Sequence, residues 1–310
     1  MNKKTYRILI ICAAIVVLIS VAIAVGTLLS NHKRPAKDGE NDATIQQSSN
    51  PSDSSVASFE IHFFDVGEAD AALVECDGHF MLIDGGNPGD SSFLYSYLQQ
   101  HKIDYLDYIV CSHPHVDHVG GLAGALNYST VGVAFSPVAE YDSRAFNSFV
   151  KYLAAQGKTI TVPTAGQTIS LGSATVTFIG PVDMTIAEQN ENNASLMVRI
   201  EYGATSFLFT GDAEKEEELS VVRSGAEIKS TLLKVGHHGS YTSSSEEFLA
   251  AVNPEYAVIS VGKDNGYGHP HEQVVSRLER FCNTILRTDI VGEIICYSDG
   301  YDLTFEYNIR

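Results

Sequence analysis

Four side chains able to bind a metal fall within six residues of this chain, at His113-Pro114-His115-Val116-Asp117-His118. They follow the apolar run Tyr108-Ile109-Val110 and precede Gly120-Gly121. The apolar run reads as a strand that delivers the loop, and the paired glycines let the backbone turn sharply into the next helix. His113 and His115, two apart, can reach one ion together; Asp117 and His118 point to a second ion beside it. Imidazole and carboxylate at this density suit Zn²⁺ or a similar divalent ion, and catalytic sites of this kind keep a position open for water. The competing reading is a polar loop that happens to be histidine-rich, and each further ligand at a fixed position weakens it.

The clustering extends further, because seven of the eleven histidines lie in three short loops. Thr210-Gly211-Asp212, 94 residues after His118, ends an apolar run with a carboxylate where the chain turns into a helix. Asp212 suits a bridge between two ions; the simpler alternative is an N-cap for a helix starting at Ala213. Leu232-Leu233-Lys234-Val235-Gly236-His237-His238-Gly239-Ser240 is another strand running into histidines. One imidazole completes the second ion and the other meets substrate, and spacing does not say which. His238 stands in the ligand set, and both histidines stand as catalytic candidates with Asp117 and His269. Gly266-Tyr267-Gly268-His269-Pro270-His271 reads equally as a substrate contact or as a Pro-initiated helix start with capping histidines. Ser243 and Ser244 with Glu246 and Glu247 have capping-box spacing, and that helix start offers N–H groups to a phosphate. His62, His79 and His101 read as structural, and the acidic run 214–218 as a solvated helix face.

Alternation predicts strands at 59–65, 71–76 and 79–84, the last two joined by the hairpin signal Asp77-Gly78. A helix is expected at 91–101, strands at 108–111 and 131–135, and a helix at 143–155. Strands follow at 168–171, 174–179, 195–201 and 205–210, the last two joined at Tyr202-Gly203. Helices at 213–222, 245–252 and 273–281 then alternate with strands at 232–235 and 256–261 and near Ile285, Ile294 and Leu303. Mixed strands interrupted by helices, without a repeat, give an α/β domain of two sheets packed face to face with helices outside.

The domain occupies 58–310 and three segments precede it. Residues 1–7 are basic, and 8–30 form an expected transmembrane signal-anchor. Its apolar run, 8–29, would be ~33 Å long as a helix, against a bilayer core of roughly 30 Å. Lys3, Lys4 and Arg7 precede it and Lys33, Arg34 and Lys37 follow, so flanking charge gives little orientation. Ala22-Ile23-Ala24 offers the alternative of signal cleavage and secretion, but the apolar run continues beyond it to Leu29. Residues 31–57 are polar and poor in aromatics, the composition of a flexible linker. This order places the domain on the outer face of the cell membrane. Cys76, Cys111, Cys282 and Cys296 lack disulfide spacing and read as small buried hydrophobes.

The His-x-His-x-Asp-His loop followed by Gly-Gly resembles the signature of the metallo-β-lactamase superfamily. Phe64-Asp65-Val66-Gly67-Glu68-Ala69-Asp70-Ala71, Leu82-Ile83-Asp84-Gly85-Gly86 and Asn192-Asn193-Ala194-Ser195-Leu196 are similar to one branch of it, the ComEC-type DNA-uptake competence proteins. So are Thr210–Asp212, Lys234–Ser240 and Tyr267–His271, in the family order. The resemblance implies a four-layer αββα sandwich with a two-metal hydrolytic site, holding Zn or Mn, at one edge. It implies His113 and His115 on one ion, Asp117 and His118 on the other, Asp212 between them, and His237 or His238 completing the second. Asp84 would orient a ligand histidine from behind. Asn193, Ser240 and His271 are expected beside the ligands or against substrate. Asn193 stands where many superfamily members carry a third histidine for the first ion, which predicts looser binding there. Two departures stand out. The branch's usual Gln-Gly is Glu68-Ala69 here, and the multi-helix channel of the full competence protein has one apolar span in its place within these residues.

Two such ions lower the pKa of a shared water, so that hydroxide is available at neutral pH to attack phosphorus, and a spare histidine protonates the leaving alcohol. The expected function is a membrane-anchored phosphodiesterase or nuclease, with DNA or a cell-wall polymer as substrate and no evident protein partner. Residues 59–310 carry 14 Lys/Arg against 34 Asp/Glu, a net charge of −20, which disfavours tight nucleic-acid binding without excluding a nuclease whose ions hold the substrate. A surface binding module that kept the fold and lost the chemistry would show lost ligands, and this chain retains them. β-Lactam hydrolysis is not expected, since the similarity lies with the competence branch.

Overall fold

The computed structural model describes residues 58–307. The expected basic segment, signal-anchor and linker lie outside the described residues. Among the described residues no helix is long and apolar enough to cross a membrane.

Among the described residues fifteen strands form two sheets. The first, of eight strands, contains β1 (Phe59–Phe63), β2 (Ala72–Cys76), β3 (His79–Ile83), β4 (Tyr105–Val110), β5 (Thr130–Phe135), β6 (Ile160–Thr161), and then β14 (Ile294–Ser298) and β15 (Leu303–Tyr307), in the order β15-β14-β1-β2-β3-β4-β5-β6. The second, of seven, contains β7 (Thr168–Leu171), β8 (Ala174–Gly180), β9 (Met197–Tyr202), β10 (Thr205–Phe209), β11 (Leu232–Lys234), β12 (Tyr256–Ile259) and β13 (Thr284–Arg287), in the order β13-β12-β11-β10-β9-β8-β7. Each has a parallel stretch, β3-β4-β5-β6 in the first and β10-β11-β12-β13 in the second. The carboxyl ends of these strands carry the histidine loops.

Strand alternation sends Phe59, Ile61, Phe63, Val74 and Met81 between the sheets, against Val176, Phe178, Val198, Ile200, Phe207 and Phe209. Phe59 stacks on Phe207 with ring centroids 4.7 Å apart, and Phe63 on Phe209 at 5.7 Å. Leu82, Ile109 and Val131 face outward under helices Ser91–His101, Leu122–Tyr128 and Arg144–Ala155. Phe146, Phe149 and Leu153, at i, i+3 and i+7, line the buried face of the last of these. Leu208, Leu233 and Ala257 meet Val221, Phe248, Leu249, Val274 and Leu278 from helices Lys215–Ser224, Glu246–Val252 and Glu272–Leu278. Helices, sheet, sheet and helices make four layers, as the resemblance implied. All four cysteines of the domain are free and buried.

Several local expectations need correction. Gly120 and Gly121 are right-handed helical, so the turn does not need their freedom. They are there for space: a Cβ on Gly120 would sit 2.4 Å from Pro88 N, and one on Gly121 2.0 Å from Gly85 O. The β9–β10 turn is Gly203-Ala204, because Tyr202 pairs with Thr205. Helix Lys215–Ser224 starts two residues later than expected, with Glu214 at its N-cap position, so Asp212 is no helix cap. Glu217 and Glu218 are buried rather than solvated. Burial pushes both carboxyls up to about 7. Glu218 accepts hydrogen bonds from the Ser244 and Ser245 backbone N–H groups. The expected capping box therefore does not form, and the anticipated phosphate spot at that helix start is filled by the protein's own carboxylate.

His62, partnerless in sequence, lies within 3.1 Å of Glu293 and 3.3 Å of Glu60. Burial works against its charge, but the hydrogen bonds to these carboxylates prevail and raise it to about 9. A histidine raised in the folded state contributes stability that is whole below about 6.5 and is lost as pH rises through 9. His62→Gln should therefore cost on the order of 2 kcal/mol at pH 6. Denaturant melts of both proteins should converge by pH 10; a gap that stays constant with pH would contradict the ion-pair account.

Candidate metal centre

The histidine loops meet where the carboxyl ends of the two parallel stretches abut. His113, His115, Asp117 and His118 follow β4, Asp84 follows β3, Asp212 follows β10, and His237 and His238 follow β11. Asp84, His237 and His238 have φ of 59°, 50° and 51°, a left-handed conformation that non-glycine residues hold only where the surroundings compel it.

Asp117, His118, Asp212 and His238 form one ligand group, with a donor atom from each lying within 4.8 Å of the others. His118 Nε2 is 3.3 Å from Asp212 Oδ1 and 3.8 Å from Asp117 Oδ2. His238 Nε2 is 3.4 Å from Asp117 Oδ2 and 3.9 Å from Asp212 Oδ2. Donors ~2.0–2.3 Å from a shared tetrahedral ion would stand ~3.3–3.8 Å apart, so the spacing fits. His118 Nε2, His238 Nε2 and Asp212 Oδ1 are also buried without a hydrogen-bond partner. Leaving such atoms unsatisfied costs about 1–3 kcal/mol each, and a divalent cation would satisfy all three.

His113 and His115 lie alongside, with His113 Nε2 and His115 Nδ1 3.0 Å apart. Asp212 turns its second oxygen towards His113 Nε2 at 3.8 Å and His237 Nε2 at 3.7 Å. Its carboxylate thus faces both histidine groups, although neither His113 nor His115 belongs to a ligand group of three or more among the described residues.

Carboxylates behind the histidines orient their rings. Asp84 takes His118 Nδ1 at 2.9 Å and the Ser112 backbone N–H at 2.7 Å. His238 Nδ1 lies 3.1 Å from the Ser260 carbonyl and 3.3 Å from Asp70 Oδ1, while Lys234 Nζ holds the other Asp70 oxygen at 2.8 Å. Burial opposes charge throughout, yet Asp212 and Asp84 hold His118 well above its ordinary pKa, and Asp212 and Asp70 raise His238 to about 10. Asp212 is held well below the carboxylate range by His118 and His238. The field of the site favours positive charge.

The remaining candidates sit around this centre. Asn193 is buried, and its Oδ1 accepts the Glu214 backbone N–H at 2.8 Å, so it braces the turn that carries Asp212. Ser240 Oγ meets Thr242 Oγ1 at 3.1 Å, and that hydroxyl is 3.2 Å from His237 Nδ1. Glu214 lies 3.4 Å from the same nitrogen. His269 Nδ1 bonds Glu68 at 2.6 Å, and its ring centroid is 5.8 Å from that of His237. His271 Nδ1 accepts the Tyr241 backbone N–H, 4.9 Å from His269 between ring centroids. Sequence reasoning assigned no role to Asp70, Lys234, Glu68 or Glu191, and read Glu214 as part of a solvated helix face, whereas it lies against His237 and Asn192. A signal existed for Lys234, the one charged residue in the apolar run 232–235.

Residues 65–263 match the family model described as "Metallo-beta-lactamase superfamily". The chain belongs to this superfamily. Its members are generally metal-dependent hydrolases, and the fold typically binds divalent ions. Within it the chain is similar to competence proteins. It is 30% identical over 253 residues to ComE operon protein 3 of Bacillus subtilis, covering 76% of this chain and 32% of that protein. It is 30% identical over 233 residues to competence protein ComA of Neisseria gonorrhoeae, covering 74% and 31%. The chain thus spans about a third of the length of these relatives, and the similarity places it in the ComEC-type branch. Among solved structures, the metallo-β-lactamase-fold protein YhfI of Bacillus subtilis aligns at 12% identity with a TM-score of 0.49, covering 80% of this chain and all of that one.

Asp212→Asn should lower bound metal, read by elemental analysis after dialysis. Asp84→Asn should weaken binding 10–100-fold without removing a ligand. Metal content unchanged in both variants would reduce the cluster to a buried hydrogen-bond network.

Proposed function

We propose that this protein is a metal-dependent phosphodiesterase, acting as a nuclease outside the cell and held to the membrane by its N-terminal apolar segment. The observation that carries this reading is the convergence of Asp117, His118, Asp212 and His238 on one point with His113 and His115 alongside. Two divalent ions, Zn or Mn, would be held there, supplying a water of lowered pKa and offsetting charge on the phosphate oxygens. The similarity to competence proteins supports nucleic acid as the polymer. The net charge of −20 over 59–310 keeps a second reading in view, the phosphodiesters of cell-wall polymers. Retention of every expected ligand speaks against a purely binding role.

The chain's own proton chemistry falls to two imidazoles. His238 Nδ1 is held by Ser260 and Asp70, and its Nε2 points into the ligand group beside Asp117 and Asp212. His237 faces Asp212. His269 lies outside the ligand group, and Glu68 holds its Nδ1. His269 Nε2 is therefore our assignment for the proton given to the leaving oxygen. Glu68, in place of the branch's Gln, would strengthen that hydrogen bond.

The domain with Mn²⁺ or Zn²⁺ should hydrolyse bis(p-nitrophenyl) phosphate and cut DNA, single- or double-stranded, and lose both activities in chelator. Inactivity on every phosphodiester alongside turnover of a β-lactam would overturn the reading. His269→Gln should slow alkyl phosphodiesters ~10²–10⁴-fold while sparing the p-nitrophenyl ester, whose leaving group needs no proton. Equal slowing of both would move the assignment to His237.

A further inference from the structure

Several loop histidines have a carboxylate on the nitrogen that faces away from the centre, Glu214 behind His237 among them, and three of these pairs differ in one respect. Asp84 behind His118 and Asp70 behind His238 are buried. The third pair is His115 and Glu191. His115 Nδ1 faces His113, and its Nε2 lies 3.0 Å from Glu191 Oε2. The Tyr141 hydroxyl donates to that same oxygen at 2.6 Å. The Glu191 side chain is 54% exposed and that of His115 33%, against 2% or less for Asp84 and His118.

Three separate loops make this contact. His115 follows β4, Tyr141 follows β5, and Glu191 begins the short helical turn Glu191–Ala194 ahead of β9. None is braced to the others by strand pairing at these residues. The imidazole needs the brace, because only one of its tautomers leaves Nδ1 free to meet a cation beside His113. A carboxylate accepting the Nε2 proton selects that tautomer and fixes the ring.

We propose that Glu191 is a positioning residue for His115, held in turn by Tyr141, and that this solvent-exposed strap makes the ion on the His113/His115 side the more easily lost of the two. The inference rests on the two-ion reading above and adds to it a cause for unequal binding. On the buried side, water does not compete for the hydrogen bonds that orient His118 and His238. On the strap side water competes with Glu191 for His115 Nε2 and with Tyr141 for Glu191, so the histidine spends part of its time misaligned. Asn193, whose oxygen is engaged by Glu214, adds no third imidazole there.

The test is a metal titration of the full chain, following heat with Mn²⁺ and visible absorption with Co²⁺. Wild type should bind two ions with unequal affinity. Glu191→Ala should weaken the looser site 10–100-fold and leave the tighter site and the melting temperature of the metal-free protein unchanged. Glu191→Gln, whose amide oxygen can still accept the Nε2 proton, should recover part of the loss, and Tyr141→Phe should show a smaller loss at the same site. No change at either site, or equal weakening at both, would overturn the inference, as would a wild type that binds fewer than two ions. Because binding is read directly, two ions bound without phosphodiester cleavage would remove the proposed function and leave Glu191's role standing.

Discussion

The centre of this protein depends on how a buried carboxylate is compensated. Asp212 is 2% exposed and lies between histidines contributed by both sheets. Removing such a charge from water costs several kcal/mol unless partners replace the lost solvation. Here His113, His118, His237 and His238 surround it, and Asp84 and Asp70 lie behind two of these histidines. Lys234 then neutralises Asp70 from the far side. The network alternates in sign from the interior outward, and its inner atoms remain short of partners. That shortage is the physical argument for a cation at its middle.

The fold was legible because its signals are local. Alternation set the strands of the 59–84 hairpin system, and the apolar spacing of Phe146, Phe149 and Leu153 set a helix. The ligand loops were legible for the same reason: each is a few residues attached to a strand end. The supporting groups were not. Lys234 and Asp70 are 164 residues apart, and Glu68 and His269 are 201 apart. Such pairs exist only after strands from distant parts of the chain lie side by side. Acidic residues illustrate the same limit. An acidic run reads as solvated by composition, yet Glu217 and Glu218 turn inward because loops 181–183 and 243–245 supply N–H groups to receive them.

Gly120 and Gly121 show how a correct residue can carry a wrong reason. Flexibility is what glycine offers in isolation, whereas the requirement here is the absence of a side chain where the metal loop presses on 85–88. This close approach places the His118 carbonyl against the Gly85 N–H at 2.6 Å and the Val110 carbonyl against the Asp84 N–H at 2.8 Å. Those backbone bonds, rather than side-chain packing, bring Asp84 to His118. A methyl group at either glycine would act on the histidine without touching it.

The division of ligands between two sheets has a consequence for how the molecule comes into being. His118 is positioned by the first sheet, but Asp212 and His238 belong to the second, and His238 is fixed by Ser260 after β12. A partial chain that ends before β12 holds the ligands but lacks the Ser260 carbonyl that orients His238. The centre is complete only where loops of both sheets meet, and an ion that binds only the finished site would draw the equilibrium towards the native state by mass action. Conversely, loss of that ion would remove its contribution to native stability, while the apolar contacts between the two sheets remain. A protein built this way would couple its stability to the metal supply of its surroundings.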